Sequence, residues 1–443
     1  MNPKVTIVIP TLNVKDYIKQ CMDSVLNQTL EELEVFVVDA DSTDGTREIL
    51  DEYEKKDSRI KVLEDIKKST GYAKNIGIEL STAPYIAIVE PDDYIELNMM
   101  KKLYETAERT EADFVKSNFS TFLGCGKQRY DFPKTVSAKE DDYDRLIDAQ
   151  EDNHCFGWVM FEWLGLYRKS FLNEFHIRHN ESPGAAFQDT GFWFLTFSYA
   201  RKIYLLKDVF YHYRCDNPYA SVKNPNKVFN ICKEYNYIKE QLSKNPIVWN
   251  RVQAAYYRGY FYDNYVVYNR ISEELRIPLL KEMHSVLTRA NMEGLIDRGL
   301  FSQQEIADLE LLLESVEKFD RQKELMRCDC GQRLIELQEQ IGQASKVIIY
   351  GAGSYGANLQ YLLQSNNVLI DTYVDGDEKK WNTKLNGISV IELEESKNKY
   401  PNALYLVANK NHSDEIEITL KKAGIAKSNI KICKLEELTV LLI

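Results

Sequence analysis

Apolar positions in the first 120 residues fall into two alternating periods. Val5-Thr6-Ile7-Val8-Ile9 is an uninterrupted, β-branched run, the pattern of a strand buried on both faces of a parallel sheet. Residues 15–26 instead place Tyr17, Ile18, Cys21, Met22, Val25 and Leu26 at helical spacing. The alternation continues. Strands are predicted at 34–38, 60–63, 85–89 and from Phe114, and helices over 44–53, 69–80 and 96–106, the first of these capped by Ser42 or Thr43. Repeated βα units imply a parallel sheet covered by helices.

Beyond residue 120 the pattern loosens. Residues 156–194 hold Phe156, Trp158, Phe161, Trp163, Tyr167, Phe187, Phe192, Trp193 and Phe194. Residues 227–343 are helical and polar-amphipathic, with Tyr256, Tyr257, Tyr260, Tyr262, Tyr265 and Tyr268 crowded together. Their mixed spacing of three and four puts several rings on one face, as in a core or a helix–helix interface. A third pattern starts at Lys346. The run Val347-Ile348-Ile349-Tyr350 precedes Gly351-x-Gly353-x-x-Gly356, a helix to about 364, and a second strand over 369–374 closed by Asp375.

A chain of 443 residues suits about three domains at roughly 150 residues each. The expected division is 1–225, 226–343 and 344–443. Hydrophobic residues at 44% and charged ones at 28% exclude a disordered or fibrous chain. The formal charge of −12 argues against nucleic acid as a partner. No window of 18 apolar residues occurs, and the apolar stretch 5–10 is too short for a signal peptide. Eight scattered cysteines read as reduced thiols, and Cys328-Asp329-Cys330 lacks the second pair that a zinc site needs. A cytoplasmic protein is expected, with attachment to the inner face of a membrane and homo-oligomerisation left open.

In an open parallel sheet, ligands bind outside the carboxyl ends of the strands. The predicted strands are followed there by Pro10-Thr11-Leu12-Asn13, by Asp39 through Thr46, by Glu90-Pro91-Asp92-Asp93, and, opening a helix, by Gly71 through Gly77 with Lys74 and Asn75. Single loops of this kind are turns and caps. Four in register make a site, and its acidic residues suit a hard divalent cation and, through it, a diphosphate.

These motifs carry a resemblance. Val8 through Asn13, Ser24 through Thr29, Val37-Val38-Asp39 through Thr46, Ala73-Lys74-Asn75-Ile76-Gly77 and Glu90 through Asp93 resemble the family-2 glycosyltransferases of GT-A fold. The match is strong over 4–120 and continues with gaps through Gln188-Asp189 and Phe210 to Arg214. It implies a GT-A (nucleotide-diphospho-sugar transferase, Rossmann-like) domain, so the whole chain is expected to be an α/β protein in which an α-helical connector and a small C-terminal Rossmann-like α/β domain, read from their own patterns, follow that domain. It also implies inverting transfer of a hexosyl or N-acetylhexosaminyl group from a nucleotide sugar, with UDP the expected nucleotide and Mn or Mg the cofactor. The acceptor would be a glycan, glycolipid or glycoprotein hydroxyl in cell-surface polysaccharide or glycoconjugate synthesis.

Carried over by position, the resemblance puts Pro10, Thr11 and Asn13 in the nucleoside pocket with Asp39 beside the base or ribose. Asp92 becomes the metal ligand with Asp93 beside it, and Asp189 the catalytic base. Apolar neighbours of Asp189 would raise its pKa, as suits a proton acceptor. Strand alternation puts His212 and Arg214 on one face, the first as a further metal ligand and the second as an anion clamp. The sequence departs from the pattern in three places. Ala40 stands where a second acid is common, leaving Asp41 as its substitute. Lys74 replaces an Arg, so a phosphate contact would lack the bidentate fork. Glu90 replaces the first Asp of the metal motif.

Gly351, Gly353, Gly356 and Asp375 meet the strand–loop–helix context of a dinucleotide fingerprint. This unit, with Gly387-Ile388-Ser389-Val390, resembles the nucleotide-binding domain at the front of bacterial sugar acyltransferases. It would bind a nucleotide or NAD, handle a second substrate, or serve association. Two other readings of the whole chain stand beside the transferase: a non-catalytic sugar-nucleotide scaffold, and an NAD-dependent enzyme acting through this unit.

Overall fold

The computed structural model describes residues 2–124, 129–159, 161–218, 228–366, 368–409 and 411–435. They form two compact units, one within 1–122, 133–265 and 281–309, the other within 123–132, 266–280 and 310–443. The expected helical connector is present, its helices divided between the two units.

The elements of the N-terminal half are β1 (Val5–Thr11), α1 (Ile18–Leu26), β2 (Leu33–Asp39), α2 (Thr46–Lys56), β3 (Ile60–Glu64), α3 (Thr70–Leu80), β4 (Tyr85–Ile88), β5 (Tyr94–Ile95), α4 (Met99–Thr110), β6 (Phe114–Leu123), β7 (Tyr130–Lys134), β8 (Leu146–Ile147), β9 (Gly165–Arg168), α5 (Lys169–Glu174), α6 (Gln188–Tyr199) and β10 (Ile203–Arg214). The main path of the sheet runs β3-β2-β1-β4-β9-β6-β10-β5. β1 to β4 are mutually parallel, as the βα repeats predict. β9 enters between β4 and β6 and runs antiparallel to both. The sheet is therefore mixed. The strand order reverses at β1, which is flanked by β2 and β4. That is where a ligand crevice forms.

β1 is buried along its whole length. α3 lies on it so closely that a Cβ on Gly77 would come 2.5 Å from the methyl carbons of Val8. Gly77→Ala is therefore expected to destabilise the fold. Overpacking of about 1–3 kcal/mol exceeds the roughly 1 kcal/mol that alanine adds to helix propensity, and urea unfolding measures the balance. α2 starts later than expected and is not capped by Ser42 or Thr43. Gly45 occupies the cap with φ 100°, and Asp44 Oδ1 takes the amide of Thr46 at 2.9 Å.

The aromatic stretch 156–194 resolves largely into core: Trp158, Trp163 and Trp193 are all buried. The next helices are α7 (Asn230–Ser243), α8 (Pro246–Arg270), α9 (Glu273–Met292), α10 (Gln303–Glu314) and α11 (Val316–Gln343). Tyr256, Tyr257, Tyr260 and Tyr268 of α8 are buried, and Tyr235 of α7 meets Tyr256 and Tyr260 edge-on at 5.3 Å each. Part of the tyrosine excess is thus helix packing. Among the described residues, no helix is long and apolar enough to cross a membrane. Cys21, Cys155, Cys215, Cys232, Cys328 and Cys433 are free thiols. Cys125 and the side chain of Cys330 lie outside the described residues.

The second sheet comprises β11 (Val347–Tyr350), β12 (Thr372–Val374), β13 (Lys384–Leu385), β14 (Ile388–Ile391), β15 (Leu404–Val407) and β16 (Ile430–Ile432), interleaved with α12 (Ser354–Ser365), α13 (Leu393–Lys399) and α14 (Ser413–Lys422). Its order is β13-β14-β12-β11-β15-β16, parallel except for the β13–β14 hairpin. Adjacent residues of β11 face opposite sides. Ile349 packs with Leu359 and Leu362 of α12, while Ile348 packs with Leu420 of α14.

Candidate active site

The register of β1 sets the site. Thr11 lies opposite Asp39 and Val8 opposite Ile88, so β1 and β2 end level with each other and the chain after β4 continues alongside the last residues of β1. Asn13 adopts φ 51°, tolerable for an Asn, and knits two loops: its amide donates to Ser42 Oγ at 2.9 Å, and its Oδ1 accepts from Thr43 N at 2.8 Å. Asp39 is buried and accepts from Ser42 Oγ at 2.6 Å, with Arg47 at 3.7 Å. Pro10 and Thr11 are buried beneath these loops. Asp41 projects to the surface and pairs with Lys68 at 3.1 Å.

The turn after β4 separates its acids. Asp92 is partly exposed and takes Asn217 Nδ2 on its Oδ2 at 2.8 Å. Asp93 turns inward and is 1% exposed. It accepts from Tyr211 Oη at 2.9 Å and from the amide of Arg214 at 2.7 Å. Burial, and then the charge of Asp92, push its carboxyl well up. Asp93, expected beside a metal, is thus bonded inward to Tyr211 and the Arg214 amide. His212, the other expected metal ligand, is likewise engaged within the protein. Its ring stacks on Tyr94 at 4.4 Å and its Nε2 meets Glu96 at 2.7 Å. Arg214 was expected to clamp an anion. Its Nε instead donates to the Asp92 carbonyl at 2.9 Å, and its guanidinium lies between the rings of Tyr17 and Phe122. It braces the turn.

Lys74 also departs from expectation. It does not reach out toward a phosphate but is 3% exposed, bonded to Glu90 at 2.9 Å and, more tightly, to Glu162. Glu162 in turn binds Nε2 of buried His179. Burial alone would lower the pKa of Lys74, but Glu162, Glu90 and Asp189 together raise it. Burial acts to raise Glu162, yet Lys74 and His179 hold it down at about 2. Burial raises Glu90, against the pull of Lys74. Asn75 closes the array from the other side, donating to His179 O at 2.9 Å and accepting from its amide at 2.9 Å.

Asp189 stands in the first turn of α6. Gln188 ties the preceding loop, taking the amide of Ala186 at 2.6 Å and donating to Gly184 O at 3.0 Å. Phe192, one turn on, stacks on His179 at 4.2 Å. α6 thus lies against the Lys74–Glu162–His179 array. Burial first, then Glu162, raise the Asp189 pKa, while Lys74 and the Thr190 amide oppose them. Two further buried ionisable groups feel its charge: Lys116, whose pKa burial lowers to about 7, and Glu234, which burial raises to about 8. Glu162, His179, Lys116, Glu234 and Asn217 have no motif in the sequence. The only signal for Glu162 is a charge inside a stretch of aromatics.

Residues 6–203 match the sequence model of glycosyl transferase family 2. The uncharacterized glycosyltransferase EpsJ of Bacillus subtilis is 29% identical over 227 residues, covering 51% of this chain and 65% of EpsJ. The chain thus spans just under two thirds of that relative. The poly(ribitol-phosphate) beta-glucosyltransferase of Bacillus spizizenii is 31% identical over 217 residues, 47% of this chain and 32% of that protein. In fold, the chain is similar to the crystal structure of S. aureus TarS 1-349 in complex with UDP-GlcNAc, with a TM-score of 0.57 at 17% identity over 72% of this chain and 89% of that one. Residues 343–431 match the model described as C2185-like, N-terminal.

In the C-terminal unit, Gly351 takes φ 118°, and a Cβ on Gly356 would come 1.9 Å from Gly351 O. Asp375 Oδ2 takes the Ala352 amide at 2.7 Å and Lys380 Nζ at 2.9 Å. The acid at the fingerprint position is thus bonded to the glycine loop itself.

Proposed function

We propose that the chain is an inverting glycosyltransferase that moves a sugar from a nucleotide diphosphate, most simply UDP, to an acceptor hydroxyl on a cell-surface glycan, glycolipid or glycoprotein. The observation that carries the reading is Asp189. Its carboxylate stands in the first turn of α6, where burial and Glu162 raise its pKa, within residues that match the glycosyl transferase family 2 model. The UDP-GlcNAc complex of TarS and the glucosyl transfer named for the Bacillus spizizenii relative support the donor and acceptor classes.

The chemistry is a single displacement. The acceptor oxygen attacks the anomeric carbon and gives its proton to Asp189. The bond from that carbon to the diphosphate oxygen breaks with both electrons leaving on the diphosphate, and the configuration inverts. The sugar passes through an oxocarbenium-like state. The loops around Thr11, Asn13 and Asp39 hold the nucleoside. Among the described residues, no three His, Cys, Asp or Glu side chains converge as a cation cage. A Mg or Mn ion held through one carboxylate and the donor's phosphates would need none, and partly exposed Asp92 would supply that carboxylate. Such an ion would neutralise charge on the departing diphosphate. Asp92→Ala is expected to abolish metal-dependent UDP binding in calorimetry; unchanged binding removes Asp92 from this role.

The C-terminal unit is proposed as an association or regulatory domain. The bonding of Asp375 to its own glycine loop supports that reading over dinucleotide chemistry. The function is tested with a panel of nucleotide sugars and Mn, reading released nucleotide. Turnover of at least one donor is expected, and release from none contradicts a transferase.

A further inference from the structure

The turn carrying the donor-side carboxylates is held by β10 and the residues just after it. Tyr211 Oη accepts the Glu90 amide at 3.0 Å while donating to Asp93. Arg214 takes Asp93 on its amide and the Asp92 carbonyl on its side chain. These contacts fix the backbone of the turn and the inward acid. Among the described residues, one hydrogen bond reaches the outward carboxylate. Asn217, three residues beyond β10 and 5% exposed, donates Nδ2 to Asp92 Oδ2 at 2.8 Å.

We propose that Asn217 is the positioning residue of the donor carboxylate: it locks the Asp92 side chain through Oδ2 and leaves Oδ1 to the cation and diphosphate. The inference rests on reading Asp92 as the donor-side ligand. The chemistry of the contact suits the task. A carboxylate on a turn has rotamer freedom, and ordering such a side chain on binding costs affinity. A buried neutral amide removes that freedom beforehand. Unlike a Lys or Arg at the same place, it leaves the full negative charge of Asp92 for the cation. The cations nearby are engaged elsewhere: Arg214 bonds the Asp92 carbonyl rather than its carboxylate, and Lys74 bonds Glu90 and Glu162. Partners that orient a metal-binding carboxylate typically contribute 10–100-fold to affinity.

The test is calorimetric titration of UDP into the full chain, with and without Mn, for the wild type, Asn217→Ala, the isosteric Asn217→Asp, Asp92→Ala and the double variant Asp92→Ala/Asn217→Ala. Asn217→Ala and Asn217→Asp are each expected to weaken UDP binding in Mn by about 10–100-fold, with metal-free binding unchanged. The double variant should bind no more weakly than Asp92→Ala, because both changes remove one interaction. Wild-type affinity in both Asn217 variants overturns the proposal, as does a further loss in the double variant or an equal loss with and without Mn. If Asp92→Ala itself keeps metal-dependent binding, the donor-side reading of Asp92 falls and this proposal with it. If only the Asn217 variants bind normally, that reading stands and the proposal alone fails.

Discussion

Asp189→Asn is expected to lower kcat by about 10²–10⁴-fold, the usual contribution of a positioned general base, while leaving UDP binding and the melting temperature close to those of the wild type. The substitution keeps shape and removes the proton acceptor. The wild-type profile should carry the same signature. The base works only when ionised, and burial together with Glu162 raises its pKa. Thus kcat/KM should fall as pH drops through a value above that of an ordinary aspartate. The fall should be absent from the residual activity of Asp189→Asn. Stopped-time assays of nucleotide release across pH measure both.

Lys74→Met is expected to be the most destabilising single change at the site, by about 3–5 kcal/mol, because it removes the principal cation from a fully buried carboxylate. Glu162 is 0% exposed and would keep only His179. Lys74→Arg should not rescue it fully, since a planar guanidinium cannot occupy the space of a compact ammonium between two carboxylates. The array also sets an acid limit on stability. The pKa of Glu162 falls from 4.5 to about 2 on folding, so it contributes stability that is present above pH 4.5 and lost as pH falls toward 2. Glu162→Gln should flatten the pH dependence of urea unfolding in that interval.

Much of the scaffold is legible in the chain because buried parallel strands announce themselves. Val5 through Ile9, the strands ending at Asp39 and near Glu90, and the run before Gly351 all sit where their apolar patterns predict. β9 escaped notice because Gly165 to Arg168 is a four-residue strand within the aromatic stretch, too short for periodicity to speak. At the site, the strand-end loops, Asp92 and Asp189 could be found because strand ends and motifs mark them. The pairing of charges could not. Nothing local tells that Asp93 turns inward to Tyr211 while its neighbour Asp92 turns outward, or that Lys74 spends its charge on Glu162, 88 residues away in sequence. Such pairings are decided by packing between distant segments. The same holds for Asn217, which the fold alone brings to Asp92. In the C-terminal unit the glycine spacing is genuine, but its strongest constraint is close packing, at Gly351 against Ala408 O and at Gly356 against the loop.

Inverting transfer with Asp189 as base can be tested with water as the acceptor. The donor that the nucleotide-release panel identifies, in its α-linked form, is incubated with the full chain and Mn, and the free sugar is followed by proton NMR before mutarotation. The β anomer should appear first in the wild type and be lost in Asp189→Asn. An α anomer as first product, or equal release from the two proteins, contradicts the account.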